Sequence, residues 1–176
     1  MTRLEAVRGD ITAETVDAIV NAANSGLAPG GGVCGAIFAA AGPGLVEACE
    51  ALGGCAPGDA KATPGFALPA RWIIHTVGPV WAGGGRGEDE LLASCYRKCF
   101  ELAEEHNARS ISFPSISTGA YGYPLQEAAG IAMREVMLQL ERAEGGVREA
   151  IFVLFDRKTY DVHAQALAEL SRQPPE

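Results

Sequence analysis

Five short β-rich runs, at residues 4–7, 18–20, 73–77, 111–113 and 151–155, are separated for the most part by longer segments with helical apolar spacing. That alternation restricts the fold more than any other feature, because parallel strands need long crossover connections and helices supply them. Helices are predicted over 34–52, 90–104, 125–144 and 160–171. Pro124 opens the third, where a missing N–H costs least. The middle strands hold consecutive apolar residues, the clearest being AIFVLF at 150–155. Such runs predict a sheet covered by helices on both faces, the α/β class. Residues 53–68 mix turn residues with small apolars and predict an irregular strand or hairpin. The glycine breaks at 83–87 and 145–146 join elements rather than domains, since neither flank offers a complete layer. One domain over 1–172 is expected, with 173–176 as a frayed tail.

Composition narrows the function classes. The chain has 176 residues, 48% hydrophobic, with 14 Lys+Arg against 22 Asp+Glu and a net charge of −8. A domain of this length buries roughly 70% of its unfolded surface and needs no disulfide or metal to hold its core. The acidic balance argues against non-specific nucleic-acid binding and against anionic membranes, which recruit clustered Lys and Arg. No apolar run approaches the roughly 20 residues of a bilayer-spanning helix. Five cysteines (Cys34, Cys49, Cys55, Cys95, Cys99) show no ligand spacing and follow a start without a signal peptide, so reduced thiols in a cytoplasm are expected. Cys95 and Cys99 read as small core residues one helical turn apart. His75, His106 and His163 fall in separate elements; no metal site is expected, and His75 reads as a satisfied structural residue.

The 22 glycines concentrate where chemistry is possible. After the second strand, Asn21-Ala22-Ala23-Asn24-Ser25-Gly26 leads through Pro29-Gly30-Gly31-Gly32-Val33-Cys34-Gly35 into a helix. Strand, glycine loop and helix together bring backbone N–H groups and a positive helix end onto an anion. The loop has no GxxxxGK[ST] and no strict GxGxxG, which disfavours the common nucleotide-triphosphate and dinucleotide motifs. After the fourth strand, Ser115-Ile116-Ser117-Thr118-Gly119-Ala120-Tyr121-Gly122-Tyr123-Pro124 repeats the same grammar. Two such loops at strand C-termini can face each other and bracket a diphosphate. Tyr121, rather than Tyr123, is favoured for the ligand. Asn21 and Asn24 either serve ribose hydroxyls or stitch the loop. Asp10 is favoured as a cap by its context alone, and Phe155 either covers a base or stays in the core.

GDIT, VDAIVNAANSGL, GGGVCGAI with AAG, HTVGPVW and FPSISTGAYGYP resemble, in order and over nearly the whole chain, the macro domain family. The sequence is most similar to its MacroD-type branch of O-acetyl-ADP-ribose deacetylases and mono-ADP-ribosyl hydrolases. The resemblance implies a three-layer α/β/α fold around a mixed, mostly parallel sheet, with ADP-ribose bound at the strand ends by backbone amides and helix N-termini rather than by basic side chains. It implies that Asp10, with the Ile11 backbone, holds the adenine amine, which overrides the cap. It also implies that Asn24 contacts the distal ribose, and that Gly31, Gly32 and Val33 lie along the diphosphate and that ribose. Ser117, Thr118, Gly119, Ala120, Tyr121 and Gly122 would wrap the phosphates, and Phe155 would lie against adenine. Asn21 is included among the substrate-binding residues. No cofactor is implied, and a monomer is expected.

The departure from the family pattern is chemical. Where the branch reads GGVDGAIH, this chain reads Gly31-Gly32-Val33-Cys34-Gly35-Ala36-Ile37-Phe38, so Cys34 replaces an Asp assigned to water activation and Phe38 replaces a His. Alphavirus macro domains that resemble the family also read GVC and are regarded as hydrolases. Three roles for Cys34 follow: a neutral thiol shaping the pocket, a thiolate base, or a nucleophile. The expected function is removal of mono-ADP-ribose from Asp/Glu-modified proteins, deacetylation of O-acetyl-ADP-ribose, or both, by substrate-assisted water attack with Asn24, Cys34 and Tyr121 at the reacting end. The alternatives are a non-catalytic ADP-ribose reader and a phosphatase acting on ADP-ribose 1″-phosphate.

Overall fold

The computed structural model describes residues 1–142 and 146–174. Among them six strands form one sheet: β1 Arg3–Arg8, β2 Ala18–Ala22, β3 Ala60–Pro64, β4 Trp72–Thr76, β5 Ser110–Phe113 and β6 Glu149–Leu154, in the order β1-β6-β5-β2-β4-β3. Every neighbouring pair is parallel except β3 with β4. The helices are α1 Gly32–Ala41, α2 Gly44–Leu52, α3 Glu88–Glu105, α4 Leu125–Arg142 and α5 Arg157–Ser171. The α/β class and the mixed, mostly parallel sheet expected from the sequence are both present.

Each face of the sheet has its own core. On one side α3, α4 and α5 cover an aromatic cluster in which Phe113 stacks on Phe152 at 5.3 Å and Tyr96 packs against Phe113 at 5.3 Å. On the other, Ile37 of α1 and Leu45 of α2 pack over Ile19 and Ile73, all with essentially no exposed surface. Strand parity therefore assigns sides: Asn21, two residues from Ile19, faces α1 and α2, whereas Val20 faces the aromatic cluster. Cys95 and Cys99 are fully buried in the aromatic core, as their helical spacing suggested.

The single helix expected over 34–52 is two helices. The apolar spacing runs on through Ile37, Ala41, Leu45 and Cys49, but Gly42 ends α1 at φ 91° and Pro43 cannot continue it, so α2 leaves at 117° to α1. The ambiguous segment 53–68 contains β3, which pairs antiparallel with β4 at the sheet edge. A strand spelled Ala-Lys-Ala-Thr-Pro has little apolar signal, and Pro64 is tolerated there because an edge strand leaves one side unpaired. Three helices start earlier than expected: α1 at Gly32, α3 at Glu88, and α5 at Arg157 under the cap of Asp156. The predicted end of the third helix at 143–144, the first glycine of the 145–146 break and the last two tail residues lie outside the described residues. Among the described residues no single helix is long and apolar enough to cross a membrane.

Candidate functional site

The C-terminal ends of β1, β2, β5 and β6 open into a cleft of about 780 Å³. Parallel strands place all their following loops on one edge of the sheet, so four connections meet there without any long-range design in the sequence. No Lys, Arg or His occurs among its lining residues.

The first wall is the loop after β2 and the start of α1. Gly31 is the N-cap of α1 and makes no side-chain cap bond, and Gly32 follows with φ 55°, the left-handed region that glycine enters freely. Gly35 donates back to the Gly31 carbonyl at 3.2 Å, and a Cβ at Gly35 would stand 2.5 Å from the Gly30 carbonyl oxygen. The turn is thus too tight for any side chain at that position. Among the described residues no protein acceptor meets the N–H groups of Gly31, Gly32, Val33 and Cys34, which are the ordinary orphans of a helix start. Left uncapped, they form an anion site at the positive end of the helix dipole.

The second wall is the loop from Pro114 to Tyr121. Ser117 holds φ 65°, unusual for a residue with a side chain, and its Oγ is buried without a partner. Its carbonyl accepts from Tyr123 N–H at 2.9 Å, while the Gly119 carbonyl accepts from Gly122 at 3.0 Å. Ser115 Oγ and Thr118 Oγ1 share a hydrogen bond of 2.5 Å across the turn. The Trp81 amide donates to the Tyr121 carbonyl at 2.8 Å, and the Trp81 ring packs on Tyr123 at 4.7 Å, anchoring the loop from outside. The N–H groups of Thr118, Gly119, Ala120 and Tyr121 have no protein acceptor among the described residues, and all four residues line the cleft. A left-handed residue within such a turn makes successive amides converge, which suits an anion.

At the far end, Phe155 lines the cleft with 77% of its surface exposed. Beside it stand two caps. Asp10 accepts from the Thr12 amide at 3.0 Å and hydroxyl at 2.7 Å, and Asp156 accepts from the Thr159 amide at 2.8 Å and hydroxyl at 3.0 Å. The Thr159 amide, then its hydroxyl, hold the Asp156 carboxyl below the ordinary aspartate range. The cap role of Asp10 and a place on the cleft are not exclusive, since one carboxylate oxygen makes the cap and the other is left for a ligand.

Most of the residues singled out in the sequence come together here: Asp10, Ile11, Asn24, the Gly31 to Cys34 run, the Ser117 to Tyr121 run and Phe155. Two do not line the cleft. Gly122 turns away, its N–H engaged by Gly119. Asn21 is fully buried below the floor, because strand parity points it toward α1. Asn24 is committed to its own loop, with Nδ2 donating to the Ala28 carbonyl at 2.8 Å and Oδ1 accepting the Ala28 amide at 3.0 Å. Cys34 is 7% exposed, and its thiol points toward the Ala28 carbonyl at 3.8 Å. Asp156, Thr159 and Ser115 were missed; an Asp followed three residues later by Thr at a strand end is the cap signal that would have found the first two. Among the described residues no three His, Cys, Asp or Glu side chains gather as a metal site.

A three-layer α/β protein with an amide-lined cleft at its parallel strand ends is built to hold a phosphorylated nucleotide without basic side chains. The Macro domain family model matches residues 20–132. A macro domain-containing protein of Chlorobaculum tepidum is 58% identical over 165 residues, covering 94% of this chain and 95% of that protein. The O-acetyl-ADP-ribose deacetylase of Salmonella newport is 48% identical over 177 residues, covering 98% of each. Among solved structures, the Trypanosoma brucei macrodomain in complex with ADP-ribose superposes with a TM-score of 0.88 at 40% identity, covering 94% of this chain and 69% of that one. The chain belongs to the macro domain family.

Proposed function

We propose that this protein binds ADP-ribose in the cleft and hydrolyses an ester that joins it to an acyl group, either a protein Asp or Glu side chain or acetate. The observation that carries the reading is the convergence of two sets of orphan amides, at Gly31 to Cys34 and at Thr118 to Tyr121, on one cleft without a basic residue. In this reading Phe155 covers the adenine face and the outward oxygen of Asp10 accepts its amine. The two amide sets clamp the diphosphate, Asn24 meets the distal ribose, and Tyr121 presses that same ribose into its reactive pose. A water held by a diphosphate oxygen near that ribose attacks the ester, so positioning and electrostatics supply much of the rate gain. Support comes from the deacetylase of Salmonella newport and the ADP-ribose complex of the Trypanosoma brucei macrodomain, both similar over almost all of this chain.

One observation favours a second reading, an ADP-ribose reader. The carboxylates lining the cleft among the described residues are Asp10 and Asp156, both at the Phe155 end and both capping, and the α1 wall offers the Cys34 thiol instead of a carboxylate. Time-resolved release of ADP-ribose from a glutamate-modified protein separates the two. Release well above the uncatalysed rate supports the hydrolase; tight binding with background release supports the reader. Inorganic phosphate liberated from ADP-ribose 1″-phosphate would instead mark the phosphatase.

A further inference from the structure

Beneath the cleft floor a buried polar chain runs from the sheet edge to the Cys34 thiol. Asn21 on β2 and His75 on β4 are register partners, and both are fully buried. Asn21 Nδ2 lies 3.1 Å from His75 Nδ1 and 3.7 Å from Cys34 Sγ. On the other side of the ring, His75 Nε2 meets Thr63 Oγ1 of β3 at 2.9 Å, with Cys49 Sγ at 3.8 Å.

The protons in this chain follow from donor and acceptor chemistry. An amide nitrogen only donates, so His75 Nδ1 accepts, and the ring is neutral with its proton on Nε2, which donates to Thr63. Burial agrees, pushing His75 down to about 4. The opposite tautomer would aim Nδ1–H at the Asn21 amide nitrogen and drive the carboxamide to rotate, bringing Oδ1 against the sulfur. As it stands Oδ1 is buried without a partner, so the hydrogen bonds of the carboxamide run through Nδ2 alone, to His75 and Cys34.

We propose that His75 is a positioning residue for the cleft thiol: with its Nε2 proton taken by Thr63 and its Nδ1 lone pair facing β2, it holds the Asn21 amide nitrogen against Cys34 Sγ, so that the sulfur is presented as an acceptor and its proton is directed to the Ala28 carbonyl. A donor on the sulfur favours negative charge there, whereas a rotated amide would place an acceptor on it and oppose that charge. Other titratable groups on elements packed against α1 are Cys49, Glu47 and Glu50 on α2, and Asp10 and Glu14 flanking the turn Ile11–Ala13; β2 carries none. Burial pushes the Cys49 thiol up to about 11, which keeps it neutral. The proposal bears on the hydrolase reading because Cys34 lies on the same cleft, but its test reads the thiol rather than turnover, so either can fail alone.

The test is the rate of Cys34 modification by iodoacetamide at one pH near neutrality, mapped by peptide mass spectrometry. Thr63→Val keeps the shape of the edge-strand residue and removes the acceptor of the His75 Nε2 proton; it is expected to slow Cys34 modification about threefold to tenfold, the scale of one ordinary hydrogen bond. Thr63→Ser restores the wild-type rate, which a loss of packing alone would not explain. His75→Phe slows the reaction at least as much as Thr63→Val, and if that variant does not fold the two Thr63 variants decide. The buried Cys95 and Cys99 report integrity by staying unmodified. An unchanged or faster rate at Cys34 in Thr63→Val, with Cys95 and Cys99 still protected, overturns the proposal.

Discussion

The carboxamide of Asn24 closes a ring with the backbone of Ala28, donating to its carbonyl at 2.8 Å and accepting its amide at 3.0 Å. The residue proposed to meet the distal ribose is therefore also the stitch that shapes the first loop. Asn24→Ala should lower turnover by an order of magnitude or more and also lower stability by about 1 kcal/mol, the usual worth of such bonds in a half-exposed place. Steady-state release of ADP-ribose together with thermal melting checks both. Full activity in the variant would remove Asn24 from the reacting end.

In the proposed reaction the Cys34 thiol shapes the cleft and is not the reacting group. Cys34→Ala should keep measurable turnover and near-normal ADP-ribose affinity. A variant that binds as well as wild type yet shows no release above background would contradict the neutral-thiol role and favour a base or nucleophile.

Phe155 presents an aromatic face to the cleft with little packing to lose. Phe155→Ala should weaken ADP-ribose binding about tenfold, the scale of one base–aromatic stack, and leave the melting temperature unchanged. Calorimetry against ADP-ribose and against ribose 5-phosphate, which has no base, checks the assignment: affinity for the second should not move.

Glu88 organises the 82–87 connector whose neighbour Trp81 anchors Tyr121. Its carboxylate accepts from the amides of Ala82 at 3.0 Å, Gly84 at 2.8 Å and Arg86 at 2.6 Å, and these donors, Ala82 first, hold it below the ordinary glutamate range. A carboxyl whose folded value is depressed adds stability that is fully present above its unfolded value and lost as pH falls through the folded one. The melting temperature of Glu88→Gln should thus lie below wild type at neutral pH and converge with it on acidification through the carboxylate range. Parallel curves at all pH values would show that the amides do not read the charge.

The parts of this molecule that were legible in the sequence were those that short-range chemistry enforces. The consecutive apolars of β4 and β6 signalled strands buried on both faces, and the two glycine-bearing loops signalled amide sites because uncapped helix starts leave donors. The break at Gly42-Pro43 was hidden because apolar spacing continues across it. The inward aim of Asn21 was hidden for a related reason: in a strand buried on both sides, polarity does not reveal which face a residue takes. The Asp156 cap and its donor Thr159 were missed because the last helix was read from 160, about one turn after the start of α5.

The central claim is that backbone amides of two loops, not basic side chains, hold the diphosphate. Amide-resolved NMR titration with ADP-ribose tests it most directly. The account predicts saturable shifts that are largest at the amides of Gly31, Gly32, Val33 and at Thr118, Gly119, Ala120 and Tyr121, with the Arg and Lys side-chain signals unmoved. Saturable binding that leaves those amides in place, or shifts dominated by Arg or Lys side chains, would contradict it.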